Sequence, residues 1–350
     1  MTFFPKGEVH LHLRGAAPKE YFLAQITKYL GRKDLFQPFS STLQNRLFSS
    51  RFAGPILKEL LSPGIASPEE ILNQLFSYSS FDQFLESYIT TASLVRSAED
   101  FSRLLSQTKA SLRQQGYRFC EVTVSLSEYL MMGIPLLSLL EQLVLSRSSS
   151  KEPYLLFTLD PVRNFGALAA ENLLQDILQY SSEVFSAVTI GGDETNFPGE
   201  DFAHFFSLAR ESGLKISIHS GETCGPAEMW RVIERISPDR IGHGVRAAED
   251  PKLLEYLAER QIPLEVCISS NLRTGVFPAL HAVPLQQIVG AGIPVTLNTD
   301  DPTFFATTLE NEFELAQSLC PELTQEDLCK LNFEASFLPN DLRERLLRTP

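Results

Sequence analysis

The chain reads as an α/β protein, a (β/α)8 barrel of the TIM type with a helical insertion after its first strand. Three observations predict it. Eight short, β-rich apolar runs are bounded by turns or by helical stretches. From the second run onward their starts recur every 23 to 36 residues, and the gaps between them read as helices. Strand–helix alternation of this kind predicts parallel βαβ units, and eight of them predict a barrel. At 350 residues, 43% of them hydrophobic and 25 of them phenylalanine, the chain can bury one large core, and it is read as a single catalytic domain over 1–350.

Taken in order, the first run is EVHLHL (8–13). Residues 14–117 follow, about 100 residues and too many for one crossover helix. Their composition, as in FDQFLESYITTASLVRSAEDFSRLLSQTKASLRQQG, is helical with loops, which predicts an insertion forming part of the barrel mouth. RFCEVTVSL (118–126) is the second run, and the SRSSS patch at 146–150 is read as a solvated linker before the third, YLLFTLD (154–160). The fourth and fifth, FSAVTIGG (185–192) and KISIHSG (215–221), flank FAHFFSLARESG, an amphipathic helix with Gly213 as C-cap. After RIGHG (240–244), DPKLLEYLAERQ starts a helix with Asp250 as N-cap and Pro251 at its first position. PLEVCISS (263–270) and PVTLNTD (294–300) are the last two runs, and the helical stretch after about 302 is expected on the outer ring.

A net charge of −13 argues against nucleic acid and anionic membranes as partners, because both require a basic face. No stretch approaches 18 apolar residues, and the N-terminus lacks the basic and apolar regions of a signal peptide. The five cysteines are scattered without CxxC spacing, which suits reduced thiols and a cytoplasmic location.

In a strand, residues two apart share a face, so His10 and His12 of HLHLRG project side by side. Alone, such a pair is either two metal ligands or two buried, hydrogen-bonded histidines. The other strand ends weigh on the choice. His219 and Glu222 follow the fifth run, His243 ends the sixth, and Asp300 and Asp301 end the eighth. A barrel puts its active site at the C-terminal ends of its strands. Three imidazoles and one carboxylate suit zinc with a coordination position left for water.

KGEVHLHLRGA, IHSGE, RIGHGV, LEVCISSNLRTG and VTLNTDDP, in this order, resemble the signature of the adenosine deaminase family, and IGGDET resembles its adenine-contacting loop. The resemblance implies one zinc held by His10, His12, His219 and Asp300, and a hydrolase that replaces the 6-amino group of a purine nucleoside by oxygen and releases ammonia. It implies that Glu222 is the protonated carboxyl that donates to purine N1. His243 would orient the attacking water, Asp301 would bond purine N7, and the N–H of Gly192 would reach N3. Phe84 and Tyr88 resemble the family's hydrophobic gate, although their spacing also suits ordinary core packing. Each polar assignment has a plainer counterpart: Glu222 could pair with Arg246, Asp301 could cap a helix, and Gly192 could simply be a turn. Ser269, Ser270 and Asn271 at the end of the seventh run could line the pocket or cap a turn. His204 reads as a helix-surface residue and His281 as a loop anchor.

Where the family usually has an aspartate that contacts the ribose 5′-hydroxyl, this sequence has Arg14. A guanidinium only donates, and it holds carboxylates and phosphates well. Either Arg14 reads an anionic group beyond the 5′ carbon, or it pairs with one of the chain's own acidic residues and the substrate is plain adenosine. An aminofutalosine-type nucleoside suits the first reading, with an AMP, N6-methyl-AMP or adenine deaminase as the alternatives. The fourth run has no lysine to bridge a second metal, which weakens a two-metal hydrolase. The full donor set weakens a non-catalytic nucleoside-binding protein.

Overall fold

The computed structural model describes residues 5–62, 64–148, 153–180 and 183–348. Eight parallel strands follow one another round the sheet in chain order. They are β1 (Lys6–His12), β2 (Tyr117–Val124), β3 (Tyr154–Leu159), β4 (Phe185–Val188), β5 (Lys215–Ser220), β6 (Arg240–His243), β7 (Leu264–Val266) and β8 (Val295–Leu297). This is the (β/α)8 barrel read from the sequence, with every expected strand present. The last strand returns to the first through a parallel bridge between Leu11 and Asp300. There the His12 N–H donates to the Asp300 carbonyl at 2.9 Å, and the Asp300 N–H donates to the His10 carbonyl at 3.3 Å.

Deeper in the barrel, side chains complete the same seam. Asn298 Oδ1 accepts from the N–H groups of Val9 and His10 at 2.9 and 3.1 Å, and Asn332 Nδ2 donates to the carbonyls of Gly7 and Leu297. An unpaired buried backbone group costs about as much as a lost hydrogen bond, so these amides stand in for missing rungs of the ladder.

Between β1 and β2 the chain forms α1 (Lys19–Tyr29), α2 (Ser41–Ser49), α3 (Ala53–Leu61), α4 (Pro68–Leu75), α5 (Phe81–Ala92) and α6 (Ala98–Gln114). Ser40, Ser67, Ser80 and Ser97 cap α2, α4, α5 and α6, each hydroxyl accepting an N–H of the first turn. One side of α5 carries Phe81, Phe84, Leu85 and Tyr88 and turns towards the strand ends. Phe84 lies 5.0 Å from Phe305, and Tyr88 lies 5.2 Å from Phe304.

After β2 come α7 (Leu126–Met131), α8 (Leu136–Ser148), α9 (Ala167–Tyr180), α10 (Ala203–Glu211), α11 (Pro226–Ile236), α12 (Pro251–Arg260), α13 (Ile268–Arg273) and α14 (Leu285–Gly290). Beyond β8 lie α15 (Pro302–Phe305), α16 (Leu309–Leu319), α17 (Gln325–Ala335) and α18 (Asn340–Arg348); α17 packs against β8 and β1. Asp250 caps α12 by accepting from the Lys252 N–H, and Gly213 follows α10 at φ 82°, both as expected.

Two expectations are corrected. Part of the linker read at 146–150 is helix, since α8 runs to Ser148; residues 149 and 150 lie outside the described residues. The seventh strand stops at Val266, and Ser269, Ser270 and Asn271 belong to α13. There the Asn271 N–H already bonds the Cys267 carbonyl at 3.0 Å, so the chain coils as soon as it leaves the barrel.

Candidate active site

His10 and His12 leave β1 on one face, His219 comes from β5, His243 from β6, and Asp300 from the turn after β8. Their reactive atoms meet. His12 Nε2 lies 3.3 Å from His219 Nε2 and 3.3 Å from Asp300 Oδ1, and His10 Nε2 lies 3.5 Å from Asp300 Oδ1. Donors around tetrahedral zinc, bonded at about 2.0–2.1 Å, stand about 3.3 Å apart.

Neighbouring groups hold two of the imidazoles by their Nδ1 atoms. His10 Nδ1 bonds Glu265 Oε2 at 2.7 Å, and His219 Nδ1 bonds Thr189 Oγ1 at 2.9 Å. Each of these two imidazoles therefore turns its Nε2 inward, and His10 Nε2 is buried there without a hydrogen-bond partner. An orphaned nitrogen of this kind, aimed at two imidazoles and a carboxylate, fits a metal ion. Glu265 is itself gripped by Arg240, whose other arm holds Glu121 at 2.5 Å. Against the opposing effect of burial, Arg240 and His10 hold the Glu265 carboxyl down to about 2.

The site is strained. Asp300, His243 and Val162 take φ of 62°, 58° and 58°, a region that costs a residue with a Cβ roughly 1–3 kcal/mol. All three line a cavity of about 300 Å³ together with Phe84, Tyr88, Gly192, Glu222 and Asp301. Gly192 has φ 110°, and a Cβ there would stand 2.2 Å from Asn164 Oδ1.

Glu222 lies on the loop after β5, its Oε2 3.7 Å from His243 Nε2. Burial raises its pKa, and His243 opposes the rise. Arg246 pairs with Glu249 instead, at 3.1 Å. The loop is clamped by Glu194 of IGGDET, whose carboxylate accepts the N–H groups of Gly221, Thr223 and Cys224 at 2.6–2.7 Å.

Asp301 makes no capping bond to α15, and its Oδ1 is buried without a partner. Burial, and then the neighbouring Asp300, raise its pKa well above the usual carboxylate range. Asp300 is held low by His10 and His12 although burial works the other way. Two adjacent carboxyls are thus pushed in opposite directions. Asn271 Nδ2 lies 3.4 Å from His243 Nδ1, and Ser270 Oγ donates to Asp300 Oδ2 at 2.7 Å, so α13 supports the site.

Arg14 does not line the cavity. It is 2% exposed, stacked 3.9 Å from the Tyr88 ring centroid, and both terminal nitrogens of its guanidinium grip Glu128. Of the two sequence readings, the structure shows the internal pair. The group that faces the cavity is the Glu128 carboxylate. His204 pairs with Glu171 on the surface at 3.0 Å, and His281 is exposed, so both stay apart from the site.

Sequence reasoning missed Glu128, Glu194 and Glu265. The last left a signal, since a lone carboxylate inside the apolar LEVC run requires a buried partner.

The chain matches the family model described as adenosine deaminase over residues 64–349, a span that begins after β1. It is 33% identical to the aminodeoxyfutalosine deaminase of Streptomyces coelicolor over 281 residues, 78% of this chain and 73% of that one. It is 29% identical to an adenine deaminase of Rhizobium leguminosarum over 349 residues, 98% and 97% of the two chains. Among solved structures, adenine deaminase from Arthrobacter aurescens shares the fold at a TM-score of 0.81 and 21% identity, covering 99% of this chain and 97% of that one. With the family model matched across most of its length and a relative one-third identical, the protein belongs to the adenosine deaminase family and is an aminohydrolase.

Proposed function

We propose that the protein is a hydrolytic deaminase of an adenine-bearing nucleoside, using one zinc ion at His10, His12, His219 and Asp300. The observation that carries this reading is the inward convergence of those four donors beside Glu222, with His10 and His219 held from behind at Nδ1. Zinc, when bound, lowers the pKa of water towards about 7 and so makes hydroxide available at neutral pH.

The chain's own groups then handle the protons. Addition of an oxygen at C6 breaks the ring's aromaticity and leaves charge on N1, and Glu222, whose pKa burial raises, delivers a proton there. His243, 3.7 Å from Glu222, orients the attacking water and takes up charge as it forms. Purine N7 is an acceptor, so Asp301 has to be the protonated partner, and its raised pKa supports that role. The Gly192 N–H is available to N3. Phe84 and Tyr88 cover the ring and exclude bulk water. The amino group takes up the proton that the attacking water gave to His243 and leaves as ammonia, and the C6 hydroxyl returns a proton to Glu222 as it becomes the 6-oxo group. Arg14 acts through Glu128 and Tyr88 without touching the substrate.

The test is ammonia release by the zinc-loaded protein from adenosine, adenine and AMP, with Glu222→Gln beside wild type. Turnover by wild type, with its loss in Glu222→Gln at unchanged zinc content, is expected. Near-wild-type turnover by Glu222→Gln would overturn the acid role. Adenine is included because a base-only substrate appears in the name of a relative that covers 98% of this chain.

A further inference from the structure

The segment 160–164, between β3 and α9, grips the turn that follows β4, and the reaction described above gives it no task. Asp160 is 2% exposed, and its carboxylate has three partners. Oδ1 accepts the N–H groups of Gly191 and Val162 at 3.0 and 2.8 Å, and Oδ2 accepts the Ser125 hydroxyl at 2.8 Å. The ends of β2, β3 and β4 therefore meet at one side chain.

The chain then turns sharply at Val162, φ 58°, and the Arg163 N–H donates to the Gly191 carbonyl at 2.9 Å. The buried Arg163 guanidinium donates to the carbonyls of Ile190 and Phe197 at 3.3 and 3.0 Å. Asn164 Oδ1 accepts the Asp193 N–H at 3.0 Å. Gly191 is thus held by both its N–H and its carbonyl, and Asp193 by its N–H. Between them the Gly192 N–H is left over, and among the described residues nothing accepts from it.

In a trans peptide a carbonyl and the N–H that follows it point in opposite directions. The Gly191 carbonyl points at Arg163, which does not line the cavity, whereas Asp160, Asn164, Gly191 and Gly192 do. The Gly192 N–H is thereby turned to the cavity side. Two adjacent glycines make that orientation easy to lose, because a residue without a Cβ takes either sign of φ. Rotation of their shared peptide would put a carbonyl where the N–H stands. Adenine N3 is itself an acceptor, so the rotated peptide would repel it.

We infer that Asp160 and Asn164 are positioning residues of the deaminase. They pin the two sides of the 191–193 turn so that the Gly192 N–H meets purine N3, and they act through that peptide without touching the reacting atoms. The inference rests on the deaminase reading and on its contact between Gly192 and N3.

The experiment measures Kd by calorimetry for inosine and for 3-deazainosine, which carries C–H in place of N3. The proteins are zinc-loaded wild type, Asp160→Ala and Asn164→Ala, and ammonia release from adenosine by wild type is followed alongside. On wild type inosine is expected to bind about fivefold more tightly or better, the range of one hydrogen bond. In Asp160→Ala that ratio should fall below about twofold, through weaker binding of inosine while 3-deazainosine binds as before. A role in general stability would weaken both ligands alike and leave the ratio where it was. Asn164 is exposed, so Asn164→Ala keeps the core intact and decides the matter should Asp160→Ala fail to fold; its ratio is expected to fall to about half that of wild type or less. Equal Kd values for the two ligands on wild type, or a ratio that survives in the folded variants, would overturn the inference and leave the deaminase reading intact. Wild type that neither binds inosine nor releases ammonia from adenosine would instead remove the reading on which the inference rests.

Discussion

In the proposed reaction Glu222 hands a proton to the purine, and burial raises its pKa in the direction that role requires. The sign of the pH dependence follows. The protonated form is the active one, so kcat falls as pH rises past the raised pKa, and a pH–rate profile of wild type should show this alkaline limb. Admitting water lowers the pKa, so Phe84→Ala should move the limb to lower pH. Glu194 acts on the same carboxyl through the loop it clamps. Glu194→Ala frees three N–H groups, and kcat is expected to drop at least tenfold while metal content, read by elemental analysis, stays the same. Gly15→Ala tests the opposite wall. Its Cβ would stand 1.8 Å from Asp301 Oδ1, so the carboxyl must swing away, and kcat/KM should fall by about two orders of magnitude or more.

Among the elements, β2, β6 and β7 are tied together inside the barrel by Glu121, Arg240 and Glu265. Removing one member of a buried ionic group leaves the others uncompensated, which costs about 3–5 kcal/mol. Arg240→Met should show that loss in urea unfolding. Because Glu265 also orients His10, zinc affinity should fall by about 10–100-fold in the same variant, measured by competition with a chelator. The helices of the insertion contribute differently: α5 supplies the roof over the ring and α2 the rim, while the strand ends and the loops that follow them supply Glu222, Asp300 and the converging imidazoles.

For the whole molecule, stripping the metal should abolish turnover and lower the melting temperature by several degrees, and restoring zinc should reverse both. A ligand held at about 100 times its Kd adds about 2.7 kcal/mol to stability. Much of the architecture was legible in the sequence because it depends on local period. His10 and His12 share a face by strand geometry alone, and the repeated strand–helix alternation announces the barrel. Chemistry that depends on distant partners was not legible. Arg14 carries no mark of Glu128, 114 residues away, and His10 none of Glu265, 255 residues away. The Ser269–Asn271 turn of helix is too short for any periodicity to show.

The bridge between Leu11 and Asp300 also sets an order of events during synthesis. His10 and His12 leave the ribosome well before Asp300, yet the backbone bonds that close the ring link these same three residues. On the zinc reading proposed above, a nascent chain therefore has no complete metal-binding site until residue 300 has cleared the exit tunnel. Until then the early imidazoles are two ligands awaiting the rest. On the same reading metal capture is a check on completion of the barrel, since a product ending before β8 would lack Asp300.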